Sequence, residues 1–267
     1  MIVTTSYRPT ESTILTAEKI SRTLGARFSE RRKRPIRQIR QTEQDDVLVV
    51  GKERFELYHS EGEKFFFHPN SAMFRAKRML RGEPDPFVEA AQVEPGDKVL
   101  DCTLGLGSDA IIASLAAGEQ GEVRGIEKSP LLAFLVEAGL QSWETGLDVL
   151  DQAMKRIRVH SGDSIDYLLE LDDASADIVY FDPMFDDGIK ESDGIAPLRK
   201  WAHSEFTLDG ALHEALRVAR KRVVLKDHWK SPRFEKYGFS VKKTQNGPVS
   251  LRCPRKMKTQ GIYLGFF

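Results

Sequence analysis

From residue 98 onward, short apolar runs alternate with amphipathic stretches. Val99-Leu100-Asp101 predicts a strand, and Ile111, Ile112 and Leu115 share one side of a helix running from Asp109 to Ala117, with Gly118 as its stop. Val123 to Glu127 predicts the next strand, after which Ser129-Pro130 supplies a cap and a first-turn proline for an apolar helix from Leu131 to about Trp143. Ile157 to His160 predicts a third strand. Ala176 to Phe181 is apolar on both parities, the pattern of a strand covered on both faces. Leu208 to Val218 reads as a helix, and Arg222 to Lys226, Phe239 to Val241 and Ile262 to Leu264 as the remaining strands. Repeated β–α units of this kind predict an open, mostly parallel seven-stranded sheet with helices on both faces.

The first 67 residues follow a different pattern. Thr13 to Leu24 predicts a short helix with Ser12 or Thr13 as its cap, and strands are expected at Asp46–Val50, Arg54–Tyr58 and Lys64–Phe67. This gives a small, β-rich α+β extension over residues 1–67, followed by the main domain at 68–267. The main domain opens on His68-Pro69-Asn70 with a helix whose apolar stripe is Met73, Ala76 and Leu80; a second helix, Pro86 to Ala91, leads to the Pro95-Gly96-Asp97 turn.

Charge changes this picture only locally. Acidic and basic residues balance to a net charge of zero, so total charge implies no polyanion partner. Yet Arg27, Arg31, Arg32, Lys33, Arg34, Arg37 and Arg40 crowd one stretch of the extension, broken by Pro35. Such a run can be a solvated surface or a set of phosphate contacts. No apolar run has the length of a membrane span, and Met1 to Thr5 is not followed by the apolar segment of a signal peptide, so a soluble cytoplasmic protein is expected. The two cysteines, Cys102 and Cys253, suggest neither a disulfide framework nor a zinc site, and no metal is expected.

In parallel sheets ligands bind beyond the carboxyl ends of the strands. Four of those ends carry informative groups. After the first come Asp101, Thr103, the glycines Gly105 and Gly107, and Asp109. Glycines there let a backbone approach a cofactor closely, though they also serve ordinary turns. Glu127 and Lys128 end the second strand, where a carboxylate can accept from both hydroxyls of a ribose. Gly162-Asp163-Ser164 follows the third, with Asp163 able to accept from an adenine amino group or simply to cap the next helix. The fourth runs into Asp182-Pro183-Met184-Phe185. Single acids at such places are common in turns; four at successive strand ends are much harder to obtain from turn chemistry alone.

This series resembles class I S-adenosylmethionine-dependent methyltransferases. Within them, Asp101 through Ala110 followed by Asp182-Pro183-Met184-Phe185 is similar to the RsmJ family, which methylates a guanine N2 of small-subunit ribosomal RNA, and to its YpiP-like relatives. Thr103, where many class I enzymes carry glycine, fits that subset. The resemblance implies a Rossmann-like fold over residues 68–267 and S-adenosylmethionine as cofactor, with Gly105 and Gly107 at its methionine part, Glu127 at its ribose and Asp163 near its adenine. It also implies that Asp182 and the Pro183 carbonyl grip the target base while Phe185, with Met184, stacks on it. Arg75, Arg32 and Arg34 are expected to contact the RNA. Asp186 and Asp187 depart from the basic continuation of the RsmJ family. Three other readings stay open on sequence alone: a small-molecule or protein acceptor, a nicotinamide-dependent oxidoreductase, and an RNA-binding protein without turnover.

Overall fold

The computed structural model describes residues 1–59, 64–183, 208–228, 231–244, 247–252 and 262–266. Its first strand, β1 (Ile2–Thr5), is four residues long and buried throughout, and it is followed by α1 (Glu11–Thr23) and β2 (Arg27–Phe28). The cap of α1 is Thr10, whose hydroxyl accepts from the Thr13 amide, rather than the expected Ser12 or Thr13. After α2 (Ile36–Glu43) come β3 (Val47–Val50), β4 (Phe55–Tyr58) and β5 (Lys64–Phe65). These make a five-stranded sheet in the order β2-β1-β3-β4-β5. β1 runs parallel to both β2 and β3, while β3, β4 and β5 form an antiparallel meander.

The helices α3 (Asn70–Leu80) and α4 (Pro86–Ala91) lead into the main sheet. The bounds of α4 are those the sequence predicts, because Asp85 accepts from the Phe87 and Val88 amides and Pro86 occupies the first turn. Strand and helix then alternate: β6 (Lys98–Asp101), α5 (Ser108–Ala117), β7 (Glu122–Glu127), α6 (Pro130–Ser142), α7 (Asp148–Arg156), β8 (Arg158–Ser161), α8 (Ser164–Glu170) and β9 (Ala176–Phe181). The chain continues through α9 (Leu208–Val218), β10 (Ala219–His228), α10 (Arg233–Lys236), β11 (Ser240–Thr244), β12 (Gly247–Arg252) and β13 (Ile262–Phe266).

The described strands form a six-stranded sheet, β13-β10-β9-β6-β7-β8, with every neighbouring pair parallel. Two expectations change here. The sheet has six described strands where seven were expected, because β11 pairs with β12 in a separate antiparallel ribbon. β13 therefore does not partner β11 but lies alongside β10. β9, predicted to be covered on both faces, is buried at every position. No helix among the described residues is long and apolar enough to cross a membrane.

The two sheets are joined by one apolar core, in which Val3, Leu48, Leu57 and Phe65 meet Ile111, Leu135, Val136 and Leu140. The tightest point of the seam is Gly139 on α6: a Cβ there would lie 2.1 Å from Cγ of Phe67. Any side chain at 139 must displace that ring, an overpacking that costs about 1–3 kcal/mol. Phe55 against Phe134, with ring centres 5.2 Å apart, extends the same seam. The extension is thus packed onto α6 rather than tethered to the main domain.

Candidate active site

The carboxyl ends of β6, β7, β9 and β10 lie along one edge of the sheet. β6 ends at Asp101, and the chain turns through Gly105 and Gly107, both in left-handed conformation, before α5 begins. Glycine is favoured at both positions because a Cβ strains that backbone. Among the described residues, a Cβ on Gly105 would meet only the Thr103 carbonyl oxygen, at 3.9 Å, so that side of the loop is open.

The loop is braced from the neighbouring strand. Glu127, at the end of β7, accepts from the Gly105 amide at 3.1 Å and from the Ser129 amide at 2.9 Å, one through each carboxylate oxygen. A carboxylate at this strand end is an acceptor suited to the hydroxyls of a ribose. Thr103 makes a second brace: its hydroxyl accepts from the Asp182 amide at 2.5 Å and so pins the start of the Asp182-Pro183 segment to the glycine loop. Asp163 caps α8 through the Ile165 amide at 2.8 Å, and its other oxygen pairs with Lys128 at 3.1 Å. Burial raises its pKa, but the Ile165 amide and Lys128 outweigh that and lower it. Ser164 follows it, buried in the first turn of α8.

A chain of ion pairs lies beneath the loop. Arg75 of α3 holds Asp85 with two bonds, at 2.8 and 2.9 Å, and Asp109 at 2.5 Å. Lys226 of β10 bridges Asp109 at 3.0 Å and Asp182 at 2.6 Å. The buried Tyr180 hydroxyl donates to Asp109 at 2.8 Å. Burial alone would push the Asp109 carboxyl up, but Lys226 and Arg75 pull it well below the usual carboxylate range. At Asp182 burial wins over Lys226, and the pKa is raised. Burial also lifts Asp101, helped by the neighbouring Asp109 and Asp182 carboxylates and opposed by the Thr103 amide, to about 8. The Cys102 thiol is buried and pushed up, which makes it a poor nucleophile.

The expected site residues are placed as follows. Arg75, expected at the RNA, has its guanidinium paired with Asp85 and Asp109. Asp109, expected at the cofactor, is the hub of the ion chain, held by Arg75, Lys226 and Tyr180. Arg34 is folded back onto Ser29 and the Glu30 carbonyl, whereas Arg32 remains exposed beside Glu30. Met184, Phe185, Asp186 and Asp187 lie outside the described residues. Lys226 is the residue that sequence reasoning misses. Its signal is a charged side chain closing the apolar run Val223-Val224-Leu225, where burial demands a partner.

Taken with its charge, the geometry fits the group the motifs imply. Buried acids outnumber cations along this edge, a lining suited to a positively charged ligand. The sulfonium and ammonium of S-adenosylmethionine meet that requirement, the open glycine loop admits its methionine part, and Glu127 stands where its ribose would lie.

Comparison with known proteins points the same way. A family model for SAM-dependent methyltransferases, SAM_MT, matches residues 32–246. The protein YpiP of Bacillus subtilis (strain 168) is 57% identical over 242 residues, covering 91% of this chain and 94% of its own length. Ribosomal RNA small subunit methyltransferase J of Dechloromonas aromatica is 30% identical over 200 residues, covering 71% of this chain and 80% of its own. A solved structure of a SAM-dependent methyltransferase from Neisseria gonorrhoeae superposes over 84% of both chains with a TM-score of 0.55 at 19% identity, which establishes the shared fold. The nicotinamide alternative falls with these matches: the chain belongs to the SAM-dependent methyltransferases, and S-adenosylmethionine is its cofactor.

Proposed function

We propose that this methyltransferase modifies an amino nitrogen of a nucleobase in RNA, guanine N2 of ribosomal RNA, in the cytoplasm. The observation that carries the reading is the position of Asp182 and Pro183: they leave β9 beside the glycine loop, with the Asp182 amide tied to Thr103 and its carboxylate to Lys226. The RsmJ relatives supply the choice of ribosomal RNA.

When bound, S-adenosylmethionine supplies an electrophilic methyl group on sulfur. The chain's task is to present a poor nucleophile to it. The lone pair of an aryl amine is delocalised into its ring, and two acceptors that hold the amine hydrogens can turn that lone pair out of the ring plane. The Asp182 carboxylate and the Pro183 carbonyl are suited to be those acceptors. Lys226 fixes the carboxylate, leaving its other lone pairs for the amine. Methyl transfer leaves the nitrogen with one proton too many, and Asp182, with its pKa raised by burial, takes that proton more readily than an ordinary carboxylate. In this reading Phe185 and Met184 provide the platform for a base taken out of its stack.

The test is Asp182→Ala. Transfer to RNA from labelled cofactor is expected to fall by about 100-fold or more, while cofactor affinity by calorimetry stays within about threefold. Near wild-type transfer by this variant would contradict the mechanism.

A further inference from the structure

The extension has a parallel-strand edge of its own. β1 lies between β2 and β3 and is parallel to both, so chain direction carries it to neighbours on opposite sides. In parallel sheets this is the switch point at which ligands bind, beyond the carboxyl ends. Adjacent strands are about 4.8 Å apart, which brings the segments after β1, β2 and β3 within about 10 Å of one another. Hydrogen bonds show the ends are level: Thr4 Oγ1 donates to the Ser29 carbonyl at 2.6 Å, and the Ser6 amide to the Val50 carbonyl at 2.9 Å.

These three segments carry Ser6-Tyr7-Arg8, Glu30-Arg31-Arg32-Lys33-Arg34 and Gly51-Lys52-Glu53-Arg54. Arg31 and Arg34 face inward. The Arg31 guanidinium bonds to the Arg34 and Thr5 carbonyls, and the Arg34 amide closes the turn onto the Arg31 carbonyl at 2.8 Å. Burial lowers the Arg31 pKa, as expected for a cation used as a clamp. The clamp displays the two residues between: Arg32 and Lys33 are exposed and both held at positive φ, 43° and 60°. Two adjacent non-glycine residues in that region are a costly arrangement that ordinary surface loops avoid. Across β1, an open cleft of about 490 Å3 is lined by Tyr7, Arg8, Lys52, Arg54, Glu53 and Glu56, among others. Arg54 pairs with Glu56 and lies over the Phe66 ring. Arg8 and Lys52 are exposed, and Tyr7, 54% exposed, presents an unusually open aromatic ring.

We propose that the carboxyl edge of the N-terminal sheet is an RNA-binding surface, on which Arg8, Arg32, Lys33 and Lys52 contact backbone phosphates and Tyr7 stacks on a base. The cations are spread over three loops, two of which line the cleft, and that spread suits an extended polyanion better than one small anion. Exposed tyrosine among them matches the stacking platforms of single-strand binders. RNA, rather than another polyanion, is chosen because the inference rests on the acceptor proposed above.

The experiment uses the full chain and a fluorescently labelled single-stranded RNA of about 20 nucleotides, titrated across a series of salt concentrations. Wild-type affinity should fall steeply with salt. The triple variant Arg8→Ala, Arg32→Ala, Lys52→Ala should flatten the log–log salt slope by about 2 and weaken binding at least tenfold, with cofactor affinity unchanged. Tyr7→Ala should weaken binding about tenfold at unchanged slope. A control triple at the opposite, amino edge of the main sheet, Lys98→Ala, Lys155→Ala, Arg158→Ala, should stay near wild type. The surface is refuted if the first triple binds like wild type, or if the control loses as much. Methyl transfer to RNA, read in parallel, separates the two ideas: binding lost in the triple without any wild-type transfer keeps the surface and removes the acceptor, whereas transfer with unaltered triple binding does the reverse.

Discussion

At the carboxyl edge of the main sheet, strands end in Asp101 and Glu127 and Asp182 directly follows β9; at the carboxyl edge of the N-terminal sheet they lead into segments carrying Arg8, Arg32, Lys33 and Lys52. Both edges are built from parallel strands, yet they carry opposite charge. The difference lies in a few residues after each strand and not in the architecture. Depth separates them as well. Asp101 and Glu127 are buried and Asp182 is held by Lys226, whereas the bases stand in solvent. The first edge should therefore answer to pH and to loss of its internal partners, and the second to salt.

The largest expected effect is at Lys226. Lys226→Met leaves Asp109 and Asp182 facing each other without their shared cation, and removing one partner of a buried pair costs about 3–5 kcal/mol. Denaturant unfolding should show a loss of that order, and adding Asp109→Asn should return part of it. If the variant is as stable as wild type, the ion chain is not what holds this edge together.

A smaller effect follows from Asp101. Its carboxyl, at about 8 in the folded chain against an ordinary 3.8, takes up a proton on folding between those values. Its contribution to stability is therefore complete below about pH 4 and is lost as pH rises through 8. A cationic ligand favours the ionised form, so cofactor binding at pH 7 should release close to one proton, and far less above about pH 9. Calorimetry in buffers of different ionisation enthalpy reads this directly. Asp101→Asn should abolish the release; its persistence would assign the proton elsewhere.

Sequence alone makes the main sheet legible because its signals are local. Asp85-Pro86 begins α4 by capping, Gly118 ends α5, and the double-sided apolar run of β9 announces burial on both faces. Other features depend on distant partners. β1 is only Ile-Val-Thr-Thr, and nothing in those residues shows that they pair with segments beginning at Arg27 and Val47. α7 has no counterpart among the expected elements, although Leu150, Ala153 and Met154 fall at helical spacing. At the site, the glycine loop and Asp182 are readable from motif, but the use of Lys226 is set by where β10 lies in the sheet. In the arginine run, composition cannot say which side chains clamp the turn and which leave it. That depends on the left-handed backbone at 32 and 33.

The central claim is that the acid-lined edge transfers a methyl group to a base of RNA. It is tested most directly by incubating the chain with labelled S-adenosylmethionine and unmodified small-subunit ribosomal RNA, digesting the RNA and identifying the labelled nucleoside by mass spectrometry. The account predicts label in N2-methylguanosine with the wild-type chain and none with Asp182→Ala. Label appearing only when protein or metabolite fractions replace the RNA, or persisting in RNA with the Asp182 variant, would contradict it.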